Sequence, residues 1–232
     1  MRAHKKVLGI IPARKGSKGI PKKNIKSFAG KELILWSIEA AIGSNSIDKT
    51  LVSTDCKEIA ALSSNNGADV PFIRPMELSS DHSKAIDVVL HAIENTEIFD
   101  YVILLQPTSP LRTSKHIDEA FNQMLDRNLK SCVSISITKS NPYLMYNIGS
   151  NSTVSSVLSH QGQYSRRQDY PQCYELNGAI YIAQVDWLKK NKSFISKDTF
   201  GYIMSQNQSY DIDTMDDFLL AEKEKIKLNY QK

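Results

Sequence analysis

The chain has 232 residues, 23% of them charged and 41% hydrophobic, a globular balance in which 10 Gly and 8 Pro exclude collagen-like and low-complexity classes. No apolar run approaches the ~18 residues of a membrane-spanning helix. The net charge of +4 is local: the first 31 residues hold ten cations and no acid, while the remaining 201 hold 19 cations against 25 acids. A cationic segment on a mildly acidic body suits an anionic small molecule better than a long polyanion. Residues 7–12 are too short for the apolar part of a signal peptide. Cys56, Cys132 and Cys173 are odd in number and far apart, which argues against a disulfide framework or zinc site and for a reducing, cytoplasmic setting.

Residues 7–11 read as a buried strand closed by Pro12, followed by a polar loop to Ser27. Residues 33–42 are predicted helical, with Leu33, Trp36 and Ala40 near one face. Residues 50–53 read as a second strand, and 57–66 as a helix stopped by Gly67. Residues 70–73 are expected as a third strand. Ile86, Val89, Leu90 and Ile93 fall at helical spacing. Residues 101–105 form a continuous apolar run of the kind buried in a parallel sheet. Ile117, Ala120, Phe121, Met124 and Leu125 make another helical stripe, and 132–137 a fifth strand. This alternation predicts right-handed βαβ units and an α/β fold with a doubly wound, mainly parallel sheet. Ligands then bind beyond the C-terminal strand ends, where the loops after Ile11, Ser53, Ile73 and Leu105 gather.

The rhythm breaks over residues 139–171, which are rich in Ser, Asn, Gln and Tyr. A structureless loop of that length is uncommon inside a compact domain. The segment reads as an inserted β-hairpin arm, with 1–138 and 172–232 making one domain around it. Tyr143, Leu144, Met145, Tyr146 and Ile148 are too many apolar groups to leave exposed, which predicts contact with an equivalent arm in a homodimer. The core resumes at 179–182, and a helix from Thr214 closes the chain.

Three stretches carry candidate chemistry. Residues 14–24 place five cations, two glycines and Ser17 straight after the first strand. Glycines admit backbone N–H groups to phosphate oxygens, and Arg and Lys neutralise them. The spacing matches neither a Walker A loop nor GxGxxG. Asp211 and Asp213, two apart on an extended segment, point the same way and suit Mg²⁺ on a nucleotide phosphate. The alternative is that Asp213 or Thr214 caps the last helix. Residues 105–112 (Leu-Gln-Pro-Thr-Ser-Pro-Leu-Arg) offer Gln106, Thr108, Ser109 and Arg112 as donors at the expected cleft. His82, His91 and His116 read as surface residues, and Lys223, Lys225 and Lys227 as a solvated face.

Taken together these stretches resemble the acylneuraminate cytidylyltransferase family, the CMP-sialic acid synthetases and their legionaminic-acid relatives. The matching motifs are residues 11–19 with Lys23 and Asn24, Val52-Ser-Thr-Asp55, Arg74-Pro with Glu77, Leu78 and Asp81, residues 104–112, Asn177-Gly-Ala-Ile-Tyr-Ile182 and Asp211-Ile-Asp-Thr214. They span nearly the whole chain in family order. The resemblance implies a Rossmann-like nucleotidyltransferase that joins CTP to a nine-carbon 2-keto sugar acid and releases pyrophosphate, a step in making bacterial surface polysaccharide. It implies that Arg14, Ser17 and Lys18 hold the triphosphate with Lys23 nearby, and that Asn24 and Arg74 meet ribose and cytosine. Gln106, Tyr181 and Phe194 would line the sugar pocket, with Arg167 close to it. Asp211 and Asp213 would carry Mg²⁺, which Mn²⁺ replaces, and one of them would help deprotonate the anomeric hydroxyl. Arg14, Lys18, Asp211 and Asp213 are thus the catalytic set. Family members also pair through the region of the arm. Alignment and charge neutralisation suffice for such a transfer, with no covalent nucleophile.

Asn141-Pro-Tyr143 and residues 173–177 look more like legionaminate-type members, and Leu144 falls where some sialate enzymes place a lysine from the partner subunit. A cytidylyltransferase for 3-deoxy-manno-octulosonate is a further alternative. From another class, a nucleic-acid-binding module would use the basic N-terminal segment. That segment has Phe28 as its only aromatic, against the stacking platforms such modules need, so no nucleic-acid or membrane partner is expected.

Overall fold

Strand β1 (Val7–Pro12) is apolar on both sides because it is covered on both. In this computed structural model, which describes residues 5–158 and 166–230 apart from the Arg167 side chain, it lies inside a six-stranded sheet. A small ribbon of β2 (Ser27–Phe28) and β3 (Lys31–Glu32) follows, then α1 (Leu33–Ile42), β4 (Lys49–Ser53), α2 (Lys57–Asn65), α3 (Ala85–Glu94) and β5 (Tyr101–Leu104). The chain continues through α4 (Ser114–Asp126), β6 (Ser131–Ile137), a hairpin of β7 (Tyr146–Ile148) and β8 (Val154–Ser156), and β9 (Tyr174–Gln184). It ends with α5 (Val185–Asn191), β10 (Phe200–Ile203) and α6 (Met215–Tyr230).

The sheet order is β10-β6-β9-β5-β1-β4. Ile10 pairs in parallel with Leu51 on one side and Leu104 on the other. Val7 and Ile11 face one core with Ile34, Ile38, Ile117, Ala120 and Met124 of α1 and α4. Leu8 and Ile10 face the other with Val89, Ala92 and Leu188 of α3 and α5. A third, smaller core joins Ile20, Phe28, Leu33, Leu111, Ile212 and Phe218, and it sits under three of the predicted site segments.

The expected mainly parallel α/β sheet is present, with one departure. Strand β9 runs antiparallel to both β5 and β6. A parallel neighbour needs a crossover that carries the chain to the far edge, usually a helix. Here β6 leads into residues 139–171 and the chain comes back beside it, so Tyr174 pairs with Ile137 and β9 runs the other way. A short β7–β8 hairpin lies within that stretch; residues 159–165 of the expected arm lie outside the described residues.

Other expectations need correction. Residues 70–73 form no strand; the chain only touches β4 through single bridges, Asp69 to Leu51 and Ile73 to Thr54. Helix α5 and edge strand β10 were not anticipated. His91 and His116 are half-buried rather than surface groups. The Phe72 ring meets His91 edge-on, and Thr113 and His116 form a reciprocal cap at the start of α4, with His116 Nδ1 accepting from the Thr113 N–H. Burial holds that imidazole below its usual pKa, which keeps the accepting nitrogen unprotonated. Lys223 and Lys227 are exposed, but Lys225 is buried: it donates to the Pro110 carbonyl, with its ammonium 3.9 Å from the Trp36 ring centre. No described helix is long and apolar enough to cross a membrane.

Candidate active site

The basic loop leaves β1 at Pro12 and is pinned along its length. Ala13 donates to the Ser53 carbonyl, and the Lys15 N–H to Asp55. Asn24, almost fully buried, donates from Nδ2 to the Arg14 carbonyl at 2.9 Å. At the far end the loop lies on the segment carrying Asp211 and Asp213. A Cβ added at Gly19 would stand 2.1 Å from the Asp213 carbonyl oxygen, so only glycine permits that approach. Lys23 Nζ donates to the Ile212 carbonyl at 2.6 Å and lies 3.4 Å from Asp213 Oδ1.

The loop after β5 completes the junction. The Thr108 carbonyl accepts from the Ile212 N–H at 2.9 Å, and the Thr108 side chain hydrogen-bonds Asp211. Five residue steps of β9 oppose two of β6 between Leu176 and Tyr181, and Gly178, with φ of 73°, lies in that irregularity. A Cβ there would lie 3.0 Å from Asp211 Oδ2 and 3.2 Å from Gln106 Oε1. Backbone, carboxylate and amide therefore converge. Asn177 fixes the bulge: its Oδ1 accepts from Ser134 and from the Ala179 N–H, and its Nδ2 donates to Ser209.

Of the residues singled out from sequence, Arg14, Ser17, Lys23, Asn24, Arg74 and Gln106 line one open cleft with about 830 Å³ of empty space. Lys18 stands beside it, ion-paired to the lining residue Asp81. Asp211 adjoins the cleft through Thr108 and Gln106. Tyr181 and Phe194 meet with ring centres 5.7 Å apart and planes inclined at 59°. Burial, and then the Asp211 charge, raise the Tyr181 phenol pKa. Arg167 lies in a short turn, Arg167–Asp169, and its side chain is outside the described residues.

Two expected cleft donors are not in the cleft. Ser109 is fully buried and reaches the Asn177 carbonyl. Arg112 is 1% exposed and donates to the Gln106 and Ala179 carbonyls and to Ser37. With no carboxylate among these partners, burial pushes its pKa down to about 9. It ties the β5 loop to β9 from below. Asn177 and Lys225 were also missed as supports. Lys225 falls seven residues after Phe218 and four after Ala221, on the buried stripe of α6, which was the available signal.

Electrostatically the cleft favours anions. Arg74 is buried, and that desolvation together with the nearby Arg14 lowers its pKa, while Asp55 raises it. The Asp211 carboxyl is pushed up from its usual range, first by burial, with the nearby Asp213 charge adding to it. The helix-cap alternative for Asp213 is resolved by its neighbours. Thr214 and Asp217 cap α6 reciprocally, through Thr214 Oγ1 to Asp217 Oδ2 at 2.7 Å and the Asp217 N–H to Thr214 Oγ1, and the Asp213 side chain is 80% exposed. Among the described residues no cluster of three His, Cys, Asp or Glu forms a self-sufficient metal site. A pair of mutually repelling carboxylates beside a cationic loop fits a hard divalent ion whose other ligands are phosphate oxygens and water.

The chain is similar to known proteins over nearly its full length. A family model described as cytidylyltransferase matches residues 8–230. An N-acylneuraminate cytidylyltransferase of Escherichia coli is 36% identical over 98% of this chain, although the chain spans about half of that relative (54%). A CMP-N,N'-diacetyllegionaminic acid synthase of Legionella pneumophila is 37% identical over 94% of this chain and 95% of its own. The solved structure of a CMP:2-keto-3-deoxy-manno-octonic acid synthetase complexed with CTP has the same fold, with a TM-score of 0.71 at 17% identity, covering 97% of this chain and 99% of that one. Sequence motifs, sheet topology and these likenesses converge, and the chain belongs to the cytidylyltransferase family.

Proposed function

We propose that this chain transfers CMP from CTP to the anomeric hydroxyl of a nine-carbon 2-keto sugar acid, with N-acylneuraminate as acceptor, and releases pyrophosphate. The observation that carries this reading is the convergence of Arg14, Ser17, Lys23, Asn24, Arg74 and Gln106 on one cleft beside Asp211, in a chain of the cytidylyltransferase family. In this reading Arg14, Ser17 and Lys18 take the triphosphate, with Lys23 between them and the Asp segment. Asn24 and Arg74 sit on the nucleoside side. Gln106 and the Tyr181–Phe194 pair hold the sugar, with Arg167 near its carboxylate. The anomeric oxygen attacks the α-phosphorus, one carboxylate of the Asp211–Asp213 pair takes its proton, and the bond to pyrophosphate breaks as charge grows on the leaving group beside the basic loop. Asp211 and Asp213 would hold Mg²⁺ or Mn²⁺, which supplies charge neutralisation at the phosphates when bound. The same reading puts the enzyme in the cytoplasm.

A second reading keeps the chemistry and changes the sugar to N,N'-diacetyllegionaminate. The Legionella relative, matched over almost all of both chains, favours it. Pyrophosphate release with each nucleoside triphosphate and a panel of sugar acids tests both. Product is expected only with CTP (weakly with UTP), a 2-keto sugar acid and Mg²⁺ or Mn²⁺, and the preferred sugar separates the two readings. Equal turnover with ATP, or full activity in excess EDTA, overturns the proposal.

We also propose a homodimer built through residues 139–171. Ile148 is 79% and Val154 66% exposed on the β7–β8 hairpin, where Tyr146 and the following Val157 are exposed too. Sedimentation at assay concentration is expected to give a dimer, and mixing Arg167→Ala with Asp211→Asn subunits tests whether sites are shared. If Arg167 serves the partner's site, half the sites of each mixed dimer carry neither lesion and activity reappears. A fully active monomer overturns the dimer.

A further inference from the structure

The triphosphate-facing cations are already occupied by a carboxylate. Asp81 Oδ1 lies 2.5 Å from Arg14 Nη1, and its Oδ2 lies 2.8 Å from Lys18 Nζ. Among the described residues it is the one carboxylate ion-paired with either cation. Its geometry is that of a two-oxygen anion seated across two donors, as a phosphate group would be.

The loop that presents Asp81 is built to do so. The Ser80 N–H donates to Ser83 Oγ, the two serine hydroxyls share a hydrogen bond, the His82 N–H donates to Ser80 Oγ, and Ser83 Oγ donates to the Glu77 carbonyl. One turn away, Ser79 accepts from Arg74 Nε in the floor of the cleft. The carboxylate is thus held at the cleft wall by its own turn. Its side chain is 32% exposed, so rotation into water is open to it. Both cations hold its pKa below the usual carboxylate range, Lys18 first.

Resting on the phosphate-binding reading of the basic loop, we propose that Asp81 is a specificity-determining residue of the nucleotide site: it stands in for phosphate in the empty enzyme and must be displaced by the polyphosphate of CTP. Displacement exchanges one anion for another on the same two cations. A ligand that brings enough charge to both cations drives Asp81 out. A ligand with a single phosphate, bound on the nucleoside side, gains nothing from the exchange. Asp81 therefore widens the margin between triphosphate and monophosphate, and it returns to Arg14 and Lys18 as pyrophosphate departs.

Equilibrium titration of the whole chain without divalent metal, using pyrophosphate, CTP and CMP as probes, tests this. Asp81→Asn removes the competing charge and keeps the side-chain shape. Two partly exposed ion pairs of this kind together set an effect of roughly tenfold. Pyrophosphate and CTP are expected to bind Asp81→Asn roughly tenfold tighter than the unmodified chain, with CMP within about twofold, and the difference should shrink at high salt. Asp81→Ser, which shortens the side chain, should follow Asp81→Asn and secures the result should one variant fold poorly. Asp81→Glu should stay near the unmodified chain. Unchanged or weaker pyrophosphate binding in both neutral variants overturns the proposal, as it would if Asp81 helped hold a ligand. Equal tightening for all three probes overturns it too, because net charge would then suffice. If the unmodified chain binds CMP but neither pyrophosphate nor CTP gains over it, the phosphate reading of the loop itself fails.

Discussion

Asp211→Asn is expected to lower kcat by ~10²- to 10³-fold, the range for losing one preorganised electrostatic group, without lowering the melting temperature. The two halves of that expectation have separate causes. The carboxylate adjoins Gln106, Thr108 and Gly178 at the centre of the site, so its charge is placed where phosphate and metal chemistry would draw on it. For stability the sign is opposite. Partial desolvation, with the Asp213 charge adding to it, raises the folded-state pKa, but the residue is exposed, so above that pKa the charged form costs only a little stability. The neutral amide removes that cost while still able to hydrogen-bond Thr108. Asp213→Asn should likewise leave melting unchanged, since Thr214 and Asp217 supply the cap. Turnover and calorimetric melting on the two variants check this. Activity of Asp211→Asn within threefold of the unmodified chain would sink the catalytic role. An active but thermally weakened Asp213→Asn would bring the helix-cap alternative back.

Gly19→Ala is expected to be nearly as damaging to activity, although it adds one methyl group and touches no charge. The new Cβ would meet the Asp213 carbonyl oxygen at 2.1 Å, and a backbone carbonyl cannot swing aside as a flexible side chain does. The basic loop or the Asp segment must move by about 1 Å, and a displacement of that size at a reacting centre costs on the order of 10²-fold. Gly16→Ala in the same loop meets nothing within 4 Å and should cost far less. Comparing kcat/KM for the two variants separates steric registration from a general intolerance of side chains in the loop. Equal losses in both would remove the registration argument.

The placement of the candidate site was legible in the sequence where it depends on local spacing. Cations and glycines at 14–24 and the alternate carboxylates at 211 and 213 lie on segments whose position follows from the strand before or the helix after them. What was hidden depends on partners far along the chain. Arg112 and Ser109 sit among apparent cleft donors, yet their direction is set by carbonyls of β9, some 70 residues away. The hydropathy of 70–73 is strand-like, but its only pairing is a bridge or two to β4. Strand β10 is four residues long with a glycine inside, and α5 is two turns, both too short for a periodic signal. The direction of β9 follows from where the arm returns, which no hydropathy pattern encodes. Asp81 belonged to a matching motif, but its pairing with Arg14 and Lys18 is a property of two loops meeting.

The contact of Gly19 with Asp213, and of Lys23 with Ile212, joins segments about 190 residues apart. During synthesis the ribosome therefore delivers the cationic loop long before the surface that shapes it. Strands β1, β4 and β5 and the helices around them pair from the first half of the chain, so a sheet can assemble early. The loop at its edge stays without its docking surface until the segment after β10 emerges, and at ~5–20 residues per second that wait is on the order of ten seconds or more. Assembly of the sheet and docking of the cationic loop are thus separate events in the life of the nascent chain, and the second waits until residues 211–213 have emerged.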